Sequence, residues 1–171
     1  LKDYDYSQAG AYYVTIVTWH REFLFGEIVN GEMKLNERGK IVKECWHEIP
    51  NHFENVQLGA FVIMPNHVHG IIVIYENRDA TNLSHPVGAR HASTLPQKGI
   101  TPNSLGAIVG SFKSAVTKRI GRELNETGIW QRNYYEHIIR DENDLKNKTD
   151  YIEANPMLWD EDDENPINIK P

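Results

Sequence analysis

The chain has 171 residues, 40% hydrophobic and 25% charged, with a formal net charge of −6, which fits one domain with a core of its own and is too little chain for two. A single cysteine, Cys45, excludes a disulfide framework and any cysteine-built zinc site, and it fits a reducing, cytoplasmic compartment. No apolar run approaches the roughly 20 residues needed to cross a bilayer, and no signal-peptide pattern opens the sequence, so no membrane partner is expected.

The charge is unevenly placed. Residues 160–171 carry five acidic side chains against Lys170, a net of −4, whereas Lys98–Arg140 holds seven basic and three acidic residues, a net of +4. An acidic total with a basic third quarter permits a nucleic-acid partner without demanding one.

In chain order, Ala11–Trp19 is rich in β-branched and aromatic residues and predicts a strand. Phe23–Met33 predicts a hairpin turning at Asn30-Gly31. From Asn36, a plausible N-cap, the period becomes helical through Ile41, Val42, Cys45, Trp46 and Ile49, with Pro50 closing the helix.

Val56–Met64 and Val68–Tyr75 read as an antiparallel pair joined at Pro65-Asn66, both central and well covered. His67 and His69 open the second strand. A period of two puts both imidazoles on one side and Val68 on the other. Such a pair can converge on one divalent cation, although a histidine in an apolar strand is more often a hydrogen-bonded structural residue.

Residues 77–103 carry Pro86, Pro96 and Pro102 among Gly, Ser, Thr and His. A connection that long without structure is functional or mobile, and its His85 and His91 read as solvated. Ser104–Arg122 predicts a capped helix burying Leu105, Ile108, Val109, Phe112, Val116 and Ile120. Its opposite side gathers Ser111, Ser114, Lys118 and Arg122, a solvent face or a phosphate-contacting one. A strand follows near Tyr134–Ile139. Asp141 then caps a last helix that buries Leu145 and Ile152 and stops near Asn155, because Pro156 follows. On that helix Tyr151 and Asn155 lie about 40° apart around the axis and about 6 Å along it. The domain ends near residue 159, and the acidic tail, 160–171, reads as solvated.

Three motifs in order carry a resemblance: Met64-Pro65-Asn66-His67-Val68-His69, then Trp130-Gln131-Arg132-Asn133-Tyr134-Tyr135-Glu136-His137, then Asp150-Tyr151-Ile152-Glu153-Ala154-Asn155-Pro156. Together they resemble the single-tyrosine transposases of the His-hydrophobic-His (HUH) nucleases, most of all their REP-associated branch. The resemblance spans the first strand to Pro156. It implies an α+β fold of ferredoxin-like type, an antiparallel sheet of about four or five strands with helices packed on one face. It also implies cleavage and rejoining of single-stranded or hairpin DNA through a 5′-phosphotyrosine, with no ATP. By position, His67 and His69 match the metal pair, Tyr151 the nucleophile, and Asn155 a third, polar metal ligand. The resemblance admits a homodimer that exchanges tyrosine helices.

Two imidazoles and an amide oxygen suit Mg²⁺ or Mn²⁺, although imidazoles also attract Zn²⁺. Lys148, one turn before Tyr151, is expected to depress the phenol pKa. Lys118, Arg122 and Arg132 are candidate DNA-binding residues that would contact phosphate. Tyr134 and Tyr135 are rival nucleophiles whose aromatic setting favours core packing or base stacking. Two alternatives remain: a non-catalytic DNA-binding regulator of the same descent, and a metal-dependent phosphohydrolase or structural-zinc protein acting on no nucleic acid.

Overall fold

Alternation along two strands divides the molecule into an apolar face and a polar one. The structure, a computed structural model, describes residues 8–76 and 102–168. Strand β1 (Gly10–Val17) pairs antiparallel with β5 (His67–Ile74), the numbering following chain order. Tyr12 opposes Ile72 and Ile16 opposes Val68 on one face, while Thr15 opposes His69 and Val17 opposes His67 on the other. Strand β4 (Val56–Ile63) adds to the far side of β5, and β6 (Tyr135–Ile139) to the far side of β1. The sheet is therefore antiparallel throughout, in the order β4-β5-β1-β6. A separate hairpin, β2 (Gly26–Val29) with β3 (Glu32–Leu35), turns at Asn30-Gly31 with both residues at positive φ, the conformation a two-residue hairpin turn requires.

Two helices cover the apolar face. The Asn36 side chain caps α1 (Glu37–His47) by accepting from Gly39 N–H, and Ser104 caps α3 (Leu105–Leu124) by accepting from Ala107 N–H. Their stripes are those the helical period predicts. Ile41, Val42 and Trp46 meet Ile108, Phe112 and Val116 over Tyr12, Val14, Ile16, Val68 and Ile72, all buried. Trp46 stacks on Phe61 and meets Phe112 edge-on. Gly70 is required beneath it, because a Cβ there would run into the indole ring. Leaving aside the hairpin and the short helix α2 (Ile49–His52), the order β1-α1-β4-β5-α3-β6 is the split βαβ arrangement of a ferredoxin-like fold.

Four details differ from the sequence reading. Pro50 does not close a helix: α1 ends at His47, and Pro50 lies in the first turn of α2, where its missing N–H costs nothing. Strand β4 is an edge strand rather than a central one. The last helix, α4 (Glu142–Ala154), does not join the others on one face but packs against the opposite face of β4 and β5. There Ile152 is buried against Tyr13 and Ile71, while Leu145 stays 39% exposed. The long connection expected over 77–103 falls, up to residue 101, outside the described residues, and so do His85 and His91.

Candidate active site

The polar face of β1 and β5 bears Tyr13, Thr15, His67 and His69, all buried. Buried polar groups need partners, and each imidazole has one behind it. Asn66 donates from Nδ2 to Arg21 C=O (3.2 Å) and Glu164 C=O (2.8 Å), which leaves its Oδ1 to accept from His67 Nδ1–H at 2.8 Å. That fixes the His67 tautomer, with the Nε2 lone pair facing into the site. His69 Nδ1 lies 2.7 Å from the Tyr13 hydroxyl and 2.8 Å from Thr15 Oγ1. The two Nε2 atoms face each other at 3.0 Å.

Opposite them stand Tyr151 from α4 and Asn155 at its end, where Pro156 turns the chain into a 3₁₀ segment, Asn155–Glu161. One acidic residue joins the halves. Asp162 Oδ2 accepts from Asn155 Nδ2 at 2.8 Å and from the Tyr151 hydroxyl at 3.2 Å, and it lies 3.9 Å from both histidine Nε2 atoms. Asp162 is buried, with Glu164 N–H on its other oxygen at 2.7 Å. One chain thus brings His67, His69, Tyr151 and Asn155 together.

The charges follow from this packing. Burial, then the neighbouring His69, holds His67 well below the ordinary imidazole range, against the pull of Asp162. Burial alone would raise Asp162, but the facing His69 and His67 and the donors from Asn155 and Glu164 keep its carboxyl well below the usual carboxylate range. Burial and the Asp162 carboxylate push the Tyr151 phenol up to about 12. This reverses the expectation placed on Lys148, whose ammonium lies over the Tyr13 ring, 4.7 Å from its centre.

A divalent ion fits these residues. Two ligands at about 2.1 Å and a right angle sit about 3.0 Å apart, the spacing of the histidine nitrogens. Asn155 Oδ1 is buried without a hydrogen-bond partner, and Asp162 adds a carboxylate oxygen. Nitrogen pairs with oxygen ligands suit Mn²⁺ and related ions.

The other expected residues lie elsewhere. Lys118 and Arg122 are on α3, which packs on the opposite side of the sheet, and Arg122 pairs there with Glu123. Arg132 lines a cavity beside the site, between the end of β1 and the start of β6. Tyr134 packs against the apolar core, whereas Tyr135 is exposed on the site face opposite Thr15. His137 bonds the Asp144 carboxylate and so ties β6 to the first turn of α4. Asp162 went unrecognised in the sequence. The expected solvated tail instead folds back through residue 168, holding Asp162 and Asn165 buried. Its one local sign is turn chemistry, Asp162 three residues before Asn165-Pro166.

A Haemophilus influenzae protein (strain ATCC 51907 / DSM 11121 / KW20 / Rd) bearing only the name "Uncharacterized protein" is 47% identical over 163 residues, 95% of this chain and 88% of its own length. A second protein of that strain, named "Putative REP-associated tyrosine transposase", is 30% identical over 165 residues, covering 90% of this chain and 73% of its own. A solved structure of a REP-associated tyrosine transposase bound to a REP hairpin superposes with a TM-score of 0.60 at 18% identity, over 93% of this chain and 73% of that one. No family model matches the sequence. The solved structure shows the shared fold, and the 30% identical relative shows the family, the single-tyrosine transposases of HUH type. Within that class the chain belongs to the REP-associated tyrosine transposases.

Proposed function

We propose that the protein is a metal-dependent transesterase that cuts and rejoins single-stranded DNA beside a hairpin. The convergence of the Tyr151 hydroxyl and two facing histidine nitrogens on one buried polar cluster carries this reading. The relative solved with a REP hairpin supports hairpin DNA as the substrate. In this reading Tyr151 Oη attacks phosphorus, the Oη–P bond forms and the P–O3′ bond breaks. The phenol proton passes to solvent water, and the leaving oxygen is protonated from water to give a 3′-OH. Attack by a 3′-OH on the 5′-phosphotyrosine reverses the step and rejoins DNA without ATP.

His67, His69 and an oxygen from Asn155 or Asp162 would hold Mn²⁺ or Mg²⁺. When bound, that ion would offset charge developing on the phosphoryl oxygens and near the phenol. Tyr13, Thr15 and Asn66 hold the two rings in register, and Asp162 keeps Tyr151 a neutral phenol until the site is loaded.

The test uses a labelled pool of palindromic-repeat hairpins with randomised single-stranded flanks, incubated with Mn²⁺ or Mg²⁺. A denaturant-resistant DNA adduct is expected with the native chain and absent with Tyr151→Phe or with chelator. Hairpin binding with no adduct under any metal would leave the non-catalytic regulator instead.

A further inference from the structure

Beside the candidate active site lies a second cavity, of about 500 Å³, lined among others by Trp19, His20, Gln131, Arg132, Asn133 and Tyr135. We infer that it holds one unpaired nucleobase of the DNA strand, next to the phosphate that Tyr151 attacks. This rests on the DNA-cleaving reading above.

Position is the first argument. Tyr135 lines both this cavity and the one containing His69, Tyr151 and Asp162. Val17, at its wall, opposes His67, two residues along β1 from Thr15, which opposes His69. Two strand residues span about 7 Å, so a nucleotide adjoining the scissile phosphate reaches the cavity.

Chemistry is the second. Trp19 is 48% exposed and Tyr135 62% exposed, and His20 meets Trp19 edge-on with ring centres 4.5 Å apart. Aromatic faces left open to water suit stacking on a base. The Gln131 and Asn133 amides each offer donors and an acceptor, which a base edge can use and a phosphate cannot fully use. A single guanidinium, Arg132, is left for the phosphate backbone.

Construction is the third. His20 and Arg21 hold successive positive φ angles of 51° and 56°, which non-glycine residues rarely adopt. Asn66, the partner of His67, accepts this cost by donating to Arg21 C=O, and Thr18 Oγ1 caps Glu22 C=O. From α3, half-buried Lys113 directs its ammonium at three successive carbonyls, Gln131 at 2.5 Å and Arg132 and Asn133 at 3.3 Å. A lysine committed to three backbone oxygens is a positioning residue: it fixes the 131–133 segment and leaves its side chains to line the cavity.

The experiment is a titration of the full chain, in chelator, with each of the four deoxynucleoside 5′-monophosphates, followed by NMR of the Trp19 indole N–H and the Gln131 and Asn133 amides. The Trp19 signal is identified by its loss in Trp19→Phe. At least one nucleotide should shift all three saturably, and Trp19→Ala should weaken that binding about tenfold, read at the amides. Gln131→Ala, at another lining residue, should weaken it too while leaving the melting temperature unchanged. No response to any of the four nucleotides would overturn the inference, as would an equal response to deoxyribose 5-phosphate, which would mark a phosphate site only. A nucleotide response from a protein that never forms a tyrosine adduct would retain the pocket and remove the cleavage reading. An adduct without a nucleotide response would do the reverse.

Discussion

The two faces of the sheet use the same strands for opposite purposes. On β1 and β5 the even-numbered residues Tyr12, Val14, Ile16, Val68 and Ile72 bury almost nothing but hydrocarbon under α1 and α3. The odd-numbered Thr15, His67 and His69 bury polar atoms that are satisfied by Asn66, by Tyr13 and by one another, with the Asp162 carboxylate facing both rings. The first arrangement supplies stability through area removed from water. The second spends it, since each buried polar group costs free energy unless partnered. A period of two lets one strand do both, so damage to either face should be separable in experiment.

The largest effect is expected on the apolar face. Trp46→Ala empties the space between Phe61, Phe112 and Gly70 and should cost about 3–5 kcal/mol in chemical denaturation. Tyr151→Phe, by contrast, should change stability by less than about 1 kcal/mol while abolishing covalent adduct. If Tyr151→Phe unfolded the protein, the division of labour between the faces would fail.

Next comes metal. Mn²⁺ at a hundred times its dissociation constant should stabilise the native chain by about 2.7 kcal/mol. It should do nothing for the His67→Ala/His69→Ala double variant in the same thermal scan. Equal stabilisation of both proteins would place the ion elsewhere.

The pH dependence is smaller and belongs to the polar face alone. In chelator, His67 is held neutral in the fold, so the unfolded imidazole binds protons first and stability falls as pH drops below about 7. Asp162, whose carboxyl is depressed in the fold, contributes stability above the ordinary carboxylate range that is lost from about pH 5 downward. His67→Gln should flatten the upper part of a stability-against-pH curve and Asp162→Asn the lower. Val14→Ala should lower the whole curve without changing its shape.

The smallest effects belong to α3. Lys118→Ala and Arg122→Ala should each lower the salt slope of DNA binding by no more than about 1 and leave the adduct rate of bound DNA unchanged, because both lie across the sheet from Tyr151. A collapse of adduct formation in either variant would contradict that placement.

Local rules made much of this legible. Strand alternation put His67 and His69 on one side, Asn36, Ser104 and Asp141 marked helix starts, and Asn30-Gly31 marked a hairpin. The motif order placed Tyr151 and Asn155 on the last helix. What local rules could not see was which face that helix takes. An apolar stripe shows that a helix packs, not against what, and α4 is seated chiefly by Ile152 near its end and by His137 on Asp144 near its start. That leaves Leu145 exposed beyond the contact. Asp162 was hidden differently. In a run of five acidic residues the Asn165-Pro166 turn marks a reversal but not which carboxylate is buried, since that is settled by His67 and His69 on β5, far away in sequence. The expected effect of Lys148 on Tyr151 failed for the same reason: a carboxylate from the tail reaches the phenol, and the ammonium spends itself on Tyr13.

The most direct test is to locate the covalent link. After reaction with hairpin DNA and Mn²⁺, the adduct would be digested with nuclease and protease and its peptides sequenced by mass spectrometry. A nucleotide joined through its 5′-phosphate to Tyr151 is the predicted result. The same modification on Tyr134 or Tyr135, or none on any tyrosine, would contradict the account.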